Sequence, residues 1–513
     1  MNESNIDPVE KYEPEYHNRS EDDLYKLGEK INMEIDYDPD LKDFPYDIYE
    51  DGSDDREAYK IYLTKNKFHK NLRDEEVKPN HRIIVKLIVL EQHLFVLHDD
   101  MYLYDDWDGT YHKDDGGKRT KRIISSYLHD KFSEIRTIEA IYKLLCIQAS
   151  IQKSDEEINN RPRNWIHFLN GYLDPDEMSD MIPHDPDYYD TNVIPYNYDP
   201  DRYDSNSRRE KGRDIPLVFD SVFNADTMGG EDNLNMLLQY IGYSMTLETG
   251  QQKFLMLVGS GGTGKSTILS LVEKILGSKN VSHVSLQGLQ ERFTKSSLYL
   301  KQANICADLP LTPLKEVDDI KKLTGEDTIF ADRKNQKPLE FVSYARLFFS
   351  ANDVPLNLAD KSNAFFRRLL ILEMNRKPEQ IDLHLGEKLE KEIPNIITKV
   401  VEAWHLSEGR IEESKRSKEL VSKAYKDADS VEAFLADRCE KVEGNRIPKT
   451  TLYDDYKMYC NLEGRQYLSA RNFYKALEGK GFRSGKSKYR YIEGLEISKT
   501  IQLYPTNNES NSQ

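Results

Sequence analysis

The chain has 513 residues, too many for one compact core and enough for roughly two to four domains. Hydrophobic residues are 38% and charged residues 32%, and no apolar run approaches the roughly 18 residues of a membrane span, which excludes a helical membrane protein. The net charge of −18 speaks against nucleic acid only until it is located: residues 1–60 hold 20 Asp/Glu against 7 Lys/Arg, whereas residues 446–490 hold 11 Lys/Arg against 4 Asp/Glu.

The opening MNESNIDPVEKYEPEY lacks a basic and apolar leader. Cys146, Cys306, Cys439 and Cys460 lie far apart, with no CxxC pair or zinc spacing, so reduced thiols in a cytoplasmic protein are expected. Residues 1–70, rich in Asp, Glu, Pro and Tyr, read as an acidic, flexible region. The apolar run from His81 predicts a helix or strand, and Phe95 to Tyr111 alternates around turn residues as a small β-meander. Helical spacing returns over 118–160. Asn170 to Asp204 is crowded with Asp, Pro, Tyr and Asn and reads as an extended connection, after which 216–250 is helical again.

Next, the apolar run Lys253-Phe-Leu-Met-Leu-Val258 leads into Gly259-Ser260-Gly261-Gly262-Thr263-Gly264-Lys265-Ser266-Thr267 and then a helical pattern. This is G-x-x-x-x-G-K-S/T between a strand and a helix, the setting a phosphate-binding loop requires. Glycines let successive N–H groups curl toward phosphates, and the helix N-terminus adds its dipole. Lys265 is expected on the β- and γ-phosphates of ATP, and the Ser266 hydroxyl on Mg²⁺.

A strand ending near Asp308 offers a Walker B carboxylate for Mg²⁺ or the attacking water. The run Ala345 to Asn352 predicts a buried strand whose terminal Asn352 can hold the γ-phosphate or the water. Arg367 and Arg368 precede another apolar strand, where an arginine finger acting on a neighbouring subunit would stabilise transition-state charge. Between these, two β-rich arms flank a tip carrying Arg333, Lys334 and Lys337, which in a ring would face single-stranded phosphates in the channel.

Residues 431–500 predict three short amphipathic helices, the third capped by Ser469 and stopped at Gly479, then two strand-like pieces. Arg471, Asn472 and Lys475 would face a duplex major groove, and Arg483, Lys486, Lys488 and Arg490 its phosphates.

In this order the motifs resemble a superfamily III AAA+ helicase, and more closely the helicase half of the phage/plasmid primase–helicase family, related to poxvirus-type primase–helicases. Trp165-Ile-His-Phe-Leu-Asn170-Gly171-Tyr-Leu-Asp resembles a segment of the domain that precedes the helicase there. The likeness runs over about residues 75–430. It implies an α/β chain: an α+β N-terminal domain (71–215), an AAA+ P-loop ATPase core with a helical collar (216–430), a C-terminal winged helix (431–500) and a tail (501–513). The implied activity is ATP- and Mg²⁺-dependent unwinding by a homo-oligomeric ring, a hexamer, that binds single-stranded and duplex DNA. Relatives show two adjacent acids at the Walker B strand, whereas Ala307-Asp308-Leu309 has one; either Asp308 serves both roles or Glu316 or Asp318 contributes the second. Nothing resembles a primase catalytic half, so primer synthesis by this chain is not expected, and a separate primase or other replication proteins are the candidate partners. Two rival readings are an AAA+ ATPase that remodels a protein and an origin-binding protein with an inert P-loop.

Overall fold

The computed structural model describes residues 79, 81–128, 132–178, 180–199, 207–210, 213–307, 318–334, 337–354, 363–463, 465 and 467–498. The acidic 1–70 region, the 501–513 tail, Asp308 and Glu316 lie outside them. The described residues fall into two compact units, one made of those up to Asn160 with Asp185–Thr191, the other of Arg161–His184 with those from Asn192 on.

In the first unit, α1 (His81–Glu91) leads into an antiparallel meander of β1 (Leu94–Leu97), β2 (Asp100–Asp105) and β3 (Thr110–Lys113), followed by α2 (Lys118–Ser126) and α3 (Ile135–Cys146). Its core joins Ile84 and Ile88 of α1 to Val96, Leu103, Ile124, Ile141 and Leu145. The expected 71–215 domain is divided between the two units. Short β4 (Ile166–Phe168) and β5 (Gly171–Leu173) pair with each other, and Ile166, Phe168, Leu173, Ile194 and Tyr198 bury themselves in the core of the second unit. The stretch read as an extended connection is packed into that core at Leu173, Ile194 and Tyr198. Its apolar residues are too widely spaced to show a period.

The second unit is a mixed α/β structure built on a parallel sheet. The hairpin β6 (Ser207–Glu210) and β7 (Arg213–Pro216) precedes α4 (Val218–Val222), α5 (Ala225–Met228) and α6 (Glu231–Met245). Twelve of the fifteen α6 residues are buried, so the helix is covered nearly all round, and Glu231 and Asp232 sit at its positive end. Then come β8 (Phe254–Val258), α7 (Lys265–Leu276), β9 (Val281–Ser282), β10 (Ala303–Cys306), α8 (Asp318–Leu323), the hairpin β11 (Thr328–Ala331) and β12 (Leu339–Val342), β13 (Arg346–Ala351), α9 (Asn363–Phe366) and β14 (Leu369–Glu373). The five-stranded sheet has the order β14-β8-β13-β10-β9, all pairs parallel. Every residue of β8 and β13 is buried, as strands covered on both faces must be. Helix α10 (Leu385–Leu406) packs on α6, where Gly242 lets Trp404 close in: a Cβ on that glycine would stand 2.7 Å from the Trp404 Cβ. Helix α11 (Lys415–Ala428) covers the other face through Leu420, Val421 and Ala424.

The C-terminal module has its own core. It comprises α12 (Ser430–Arg438), β15 (Cys439–Pro448), α13 (Lys449–Leu462), α14 (Ala470–Gly479), β16 (Arg483–Lys486) and β17 (Arg490–Ile497). The three helices and the last two strands match the expectation, but β15 is an addition to it. That strand pairs with β17 through a register shift between Lys441 and Arg446, and only Ile447 of its ten residues is buried, so no alternation marks it in the sequence. Ser469 holds the N-cap position of α14 without a side-chain capping bond, and the left-handed turn beyond the helix belongs to Gly481 (φ 92°), not Gly479.

Candidate phosphate and nucleic-acid sites

The loop Gly259–Gly264 leaves the carboxyl end of β8 and folds back over the end of β14. A Cβ on Gly259 would lie 2.0 Å from the Met374 carbonyl oxygen, so no other residue fits there without moving backbone. Gly262 (φ 82°) and Gly264 (φ 92°) are left-handed. Gly264 occupies the N-cap of α7 and no side chain caps that helix, which leaves its first-turn N–H groups for an anion. Lys265 is buried, and its Nζ donates to the carbonyls of Gly259 at 2.5 Å and Ser260 at 3.0 Å. The Thr263 hydroxyl donates to the Ser260 carbonyl at 3.0 Å. Ser260, Gly261, Gly262 and Ser266 are exposed, and Thr267 is half-buried. A triphosphate fits this cradle: the loop N–H groups and Lys265 would hold its oxygens, and the Ser266 hydroxyl is open to a divalent cation. Met374, whose methyl carbon would lie 3.5 Å from a Cβ on Gly264, shapes the loop, and nothing in the local motif signals it.

The neighbouring strand brings Asn352 to the same place. Ala351 pairs with Val258, the Gly259 N–H donates to the Ala351 carbonyl at 3.3 Å, and Asn352 follows, exposed. Strand β10 ends at Cys306, two residues before Asp308, which lies outside the described residues. The alternative acid Asp318 opens α8 and pairs with Lys321 of its own helix at 3.1 Å.

The arginine pair lies at the opposite end of the sheet. Leu369 pairs with Phe254, and the Phe254 N–H donates to the Arg368 carbonyl at 2.8 Å. Because β14 and β8 are parallel, the arginines stand at the amino end of β8 and the Gly259–Gly264 loop at its carboxyl end, about 16 Å of strand away and beyond an arginine's reach. The two side chains also differ. Arg367 is exposed, and its backbone carbonyl is gripped by Lys253, itself paired with Glu413. Arg368 is buried, donates from Nη2 to Gln252 at 3.4 Å, and has its guanidinium pKa lowered by burial and by Arg367.

In the β11–β12 hairpin, Ile329, Ala331, Leu339 and Phe341 face the core, and Thr328, Phe330, Glu340 and Val342 face outward. At the tip Lys334 and Lys337 are exposed, whereas Arg333 is half-buried and its Nε closes the turn on the Lys337 carbonyl at 3.1 Å. Asp332 is tied at 2.6 Å to Arg292, a cation that no motif in the sequence singles out. In the C-terminal module α14 buries Phe473 and Leu477 and exposes Arg471, Asn472 and Lys475. Arg483, Lys486, Lys488 and Arg490 are exposed along β16, its turn and β17, and the additional strand β15 brings Arg446, 3.6 Å from Glu493. Among the described residues no cluster of His, Cys, Asp and Glu could hold a metal, and no helix is long and apolar enough to cross a membrane.

Residues 257–368 match a family model described as a family of unknown function, DUF5906, and residues 426–503 match one described as Poxvirus D5 protein-like. No curated protein matches the chain. Among solved structures, the apo structure of the NrS-1 C-terminal region (305–718) is 13% identical, with a TM-score of 0.35 over 63% of this chain and 87% of that one. The A form apo structure of the same region (305–718) is also 13% identical, with a TM-score of 0.35 over 62% and 87%. A further A form apo structure of that C-terminal region gives 13% and 0.31 over 66% and 74%.

Proposed function

We propose that this chain is an ATP- and Mg²⁺-dependent DNA helicase of replication, an AAA+ motor that works as a ring of identical subunits, a hexamer, and carries a winged helix for duplex DNA. The observation that supports the reading most is that the Lys265 loop and the exposed Arg367 lie at opposite ends of one sheet. A subunit with Lys265 at one end and exposed Arg367 at the other cannot complete its own site, but a head-to-tail neighbour can. Head-to-tail contacts that close make rings. The strand order β14-β8-β13-β10-β9, with the phosphate loop following a central strand, supports the AAA+ assignment. The match of residues 426–503 to a Poxvirus D5 protein-like family supports the poxvirus-type resemblance.

Bound ATP supplies a γ-phosphoryl group for transfer to water. For the chain's own residues, Lys265 leaves the Gly259 and Ser260 carbonyls and turns to the β- and γ-phosphates. The uncapped first turn of α7 holds oxygens through its N–H groups, and Ser266 is the ligand offered to Mg²⁺. Asn352, beside Gly259, orients the attacking water, and Asp308 supplies the carboxylate of the metal site. Arg367 reaches the neighbouring subunit's nucleotide, whereas buried Arg368, bonded to the Gln252 side chain, anchors the chain beside it. Lys334 and Lys337 grip single-stranded DNA in the channel, and α14 meets the duplex; a separate primase supplies primers. The deciding experiment is unwinding of a forked duplex with ATP and Mg²⁺. Strand separation that needs both supports the reading, and ATP turnover indifferent to DNA, with no unwinding, refutes it.

A further inference from the structure

The turn between β16 and β17 carries a feature that duplex binding through α14 leaves unused. Lys486 pairs with Arg490, so Ser487, Lys488 and Tyr489 form the tip, closed by the Ser487 N–H donating to the Tyr489 carbonyl at 3.0 Å. Tyr489 is 48% exposed, although a large aromatic side chain gains by burial. Its ring has a support. Tyr491 lies flat over Gly485, where a Cβ would stand 2.3 Å from the Tyr491 Cζ. The Arg446 guanidinium sits 4.8 Å from the Tyr491 ring centre, and Tyr489 meets that ring edge-on at 6.3 Å and 78°. The glycine at 485 thus lets one tyrosine lie across the sheet and prop the next at the tip. Around it, Lys486, Lys488 and Arg490 are exposed, and among the described residues none has an ion-pair partner.

Three exposed cations around a propped ring, with no ion-pair partner among the described residues, call for an anion. A ligand that offers phosphates and a flat apolar face together is a nucleotide base in a strand. Inside continuous duplex each base face is covered by its neighbours, and opening a step costs a few kcal/mol. A terminal base pair offers its face without that cost. We propose that Tyr489 is a base-stacking residue that engages the last base pair of a duplex, at a fork or an end, while Lys486, Lys488 and Arg490 hold the adjoining phosphates. This rests on the DNA-binding reading of the module.

The test uses the full chain with two DNAs: a fork carrying 2-aminopurine in its junction pair, and a dumbbell duplex closed at both ends by loops. Wild type should quench the 2-aminopurine fluorescence and bind both DNAs. Tyr489→Ala should lose the quench and weaken fork binding about tenfold, the share of one stacked base, yet bind the dumbbell like wild type. Tyr489→Phe should restore both fork signals, and Lys488→Ala should weaken both DNAs alike. If Tyr489→Ala bound the fork as wild type does, or lost fork and dumbbell equally, the stacking role would be wrong while duplex binding stood. If wild type bound neither DNA, the reading of the module as a DNA-binding domain would fall, and this inference with it.

Discussion

The Gly259–Gly264 loop and the C-terminal module are both proposed to meet phosphates, by opposite physics. The loop is held by backbone and packing: Gly259 against the Met374 carbonyl, Lys265 buried on two carbonyls, Asn352 brought in by strand pairing. The module's cations stand in solvent on the surface of a small core, with no ion-pair partners for Lys486, Lys488 or Arg490 among the described residues. A site of the first kind should fail through geometry and be indifferent to salt. The second should fail by degrees, with each charge, and weaken as salt rises.

The largest effect that bears on this contrast belongs to the arginine pair. Arg367→Ala should cut ATP turnover by about 10³-fold or more with nucleotide binding retained, as expected for a finger that serves the neighbour's site. Mixing it with Lys265→Ala subunits should restore some turnover, because mixed rings contain intact pairs of loop and finger; no recovery at any ratio would break the trans assignment. Arg368→Ala should instead lower the unfolding midpoint, since it empties a buried position.

Lys265→Ala should lower turnover by about 10²- to 10³-fold and leave the chain folded, and Asp308→Asn should do likewise. Steady-state ATPase assays beside circular dichroism check both, and near wild-type turnover in Asp308→Asn would remove Asp308 from the site. Gly259→Ala should cost about 3 kcal/mol in urea unfolding, because both its backbone conformation (φ 157°) and the Met374 carbonyl oppose a side chain. Gly261→Ala, with open space around its Cβ, should unfold like wild type.

In the exposed sites the effects shrink and turn electrostatic. Removing Lys486 or Arg483 should reduce the slope of log affinity against log salt by about 0.9 for each phosphate left without its cation, read from duplex titrations at several salt concentrations. Lys334→Ala should impair unwinding more than duplex binding, and deletion after residue 430 the reverse. The smallest effect tests a partly exposed ion pair at the end of β14. Glu373 takes a bidentate contact from Arg416 at 2.7 and 3.1 Å, and that bonding holds its carboxyl pKa below the ordinary value. A depressed carboxylate pKa contributes stability above the unfolded value of about 4.3, lost as pH falls through the folded pKa. The pair is partly exposed, so Arg416→Ala should cost under about 1 kcal/mol at pH 7, and the cost should shrink as the pH of urea unfolding is lowered through the acid range.

The sequence by itself determined whatever depends on contiguous residues. The glycine-rich loop between β8 and α7 was legible because its pattern sits in nine consecutive residues between an apolar run and a helical period, and the β11–β12 hairpin and the exposed face of α14 because each obeys one short period. Tertiary structure decided what depends on distant partners. The parallel pairing of Phe254 with Leu369 put Arg367 and Arg368 at the far end from the loop and made one exposed and the other buried, although they are neighbours in an identical local context. It also brought Met374 onto Gly259, joined β15 to β17 across some fifty residues of chain, and stood Tyr489 on Tyr491 over Gly485. Local periodicity reports which face of an element is apolar. Which element covers that face, and what it places beside a loop, is set by pairings between segments that share no local signal.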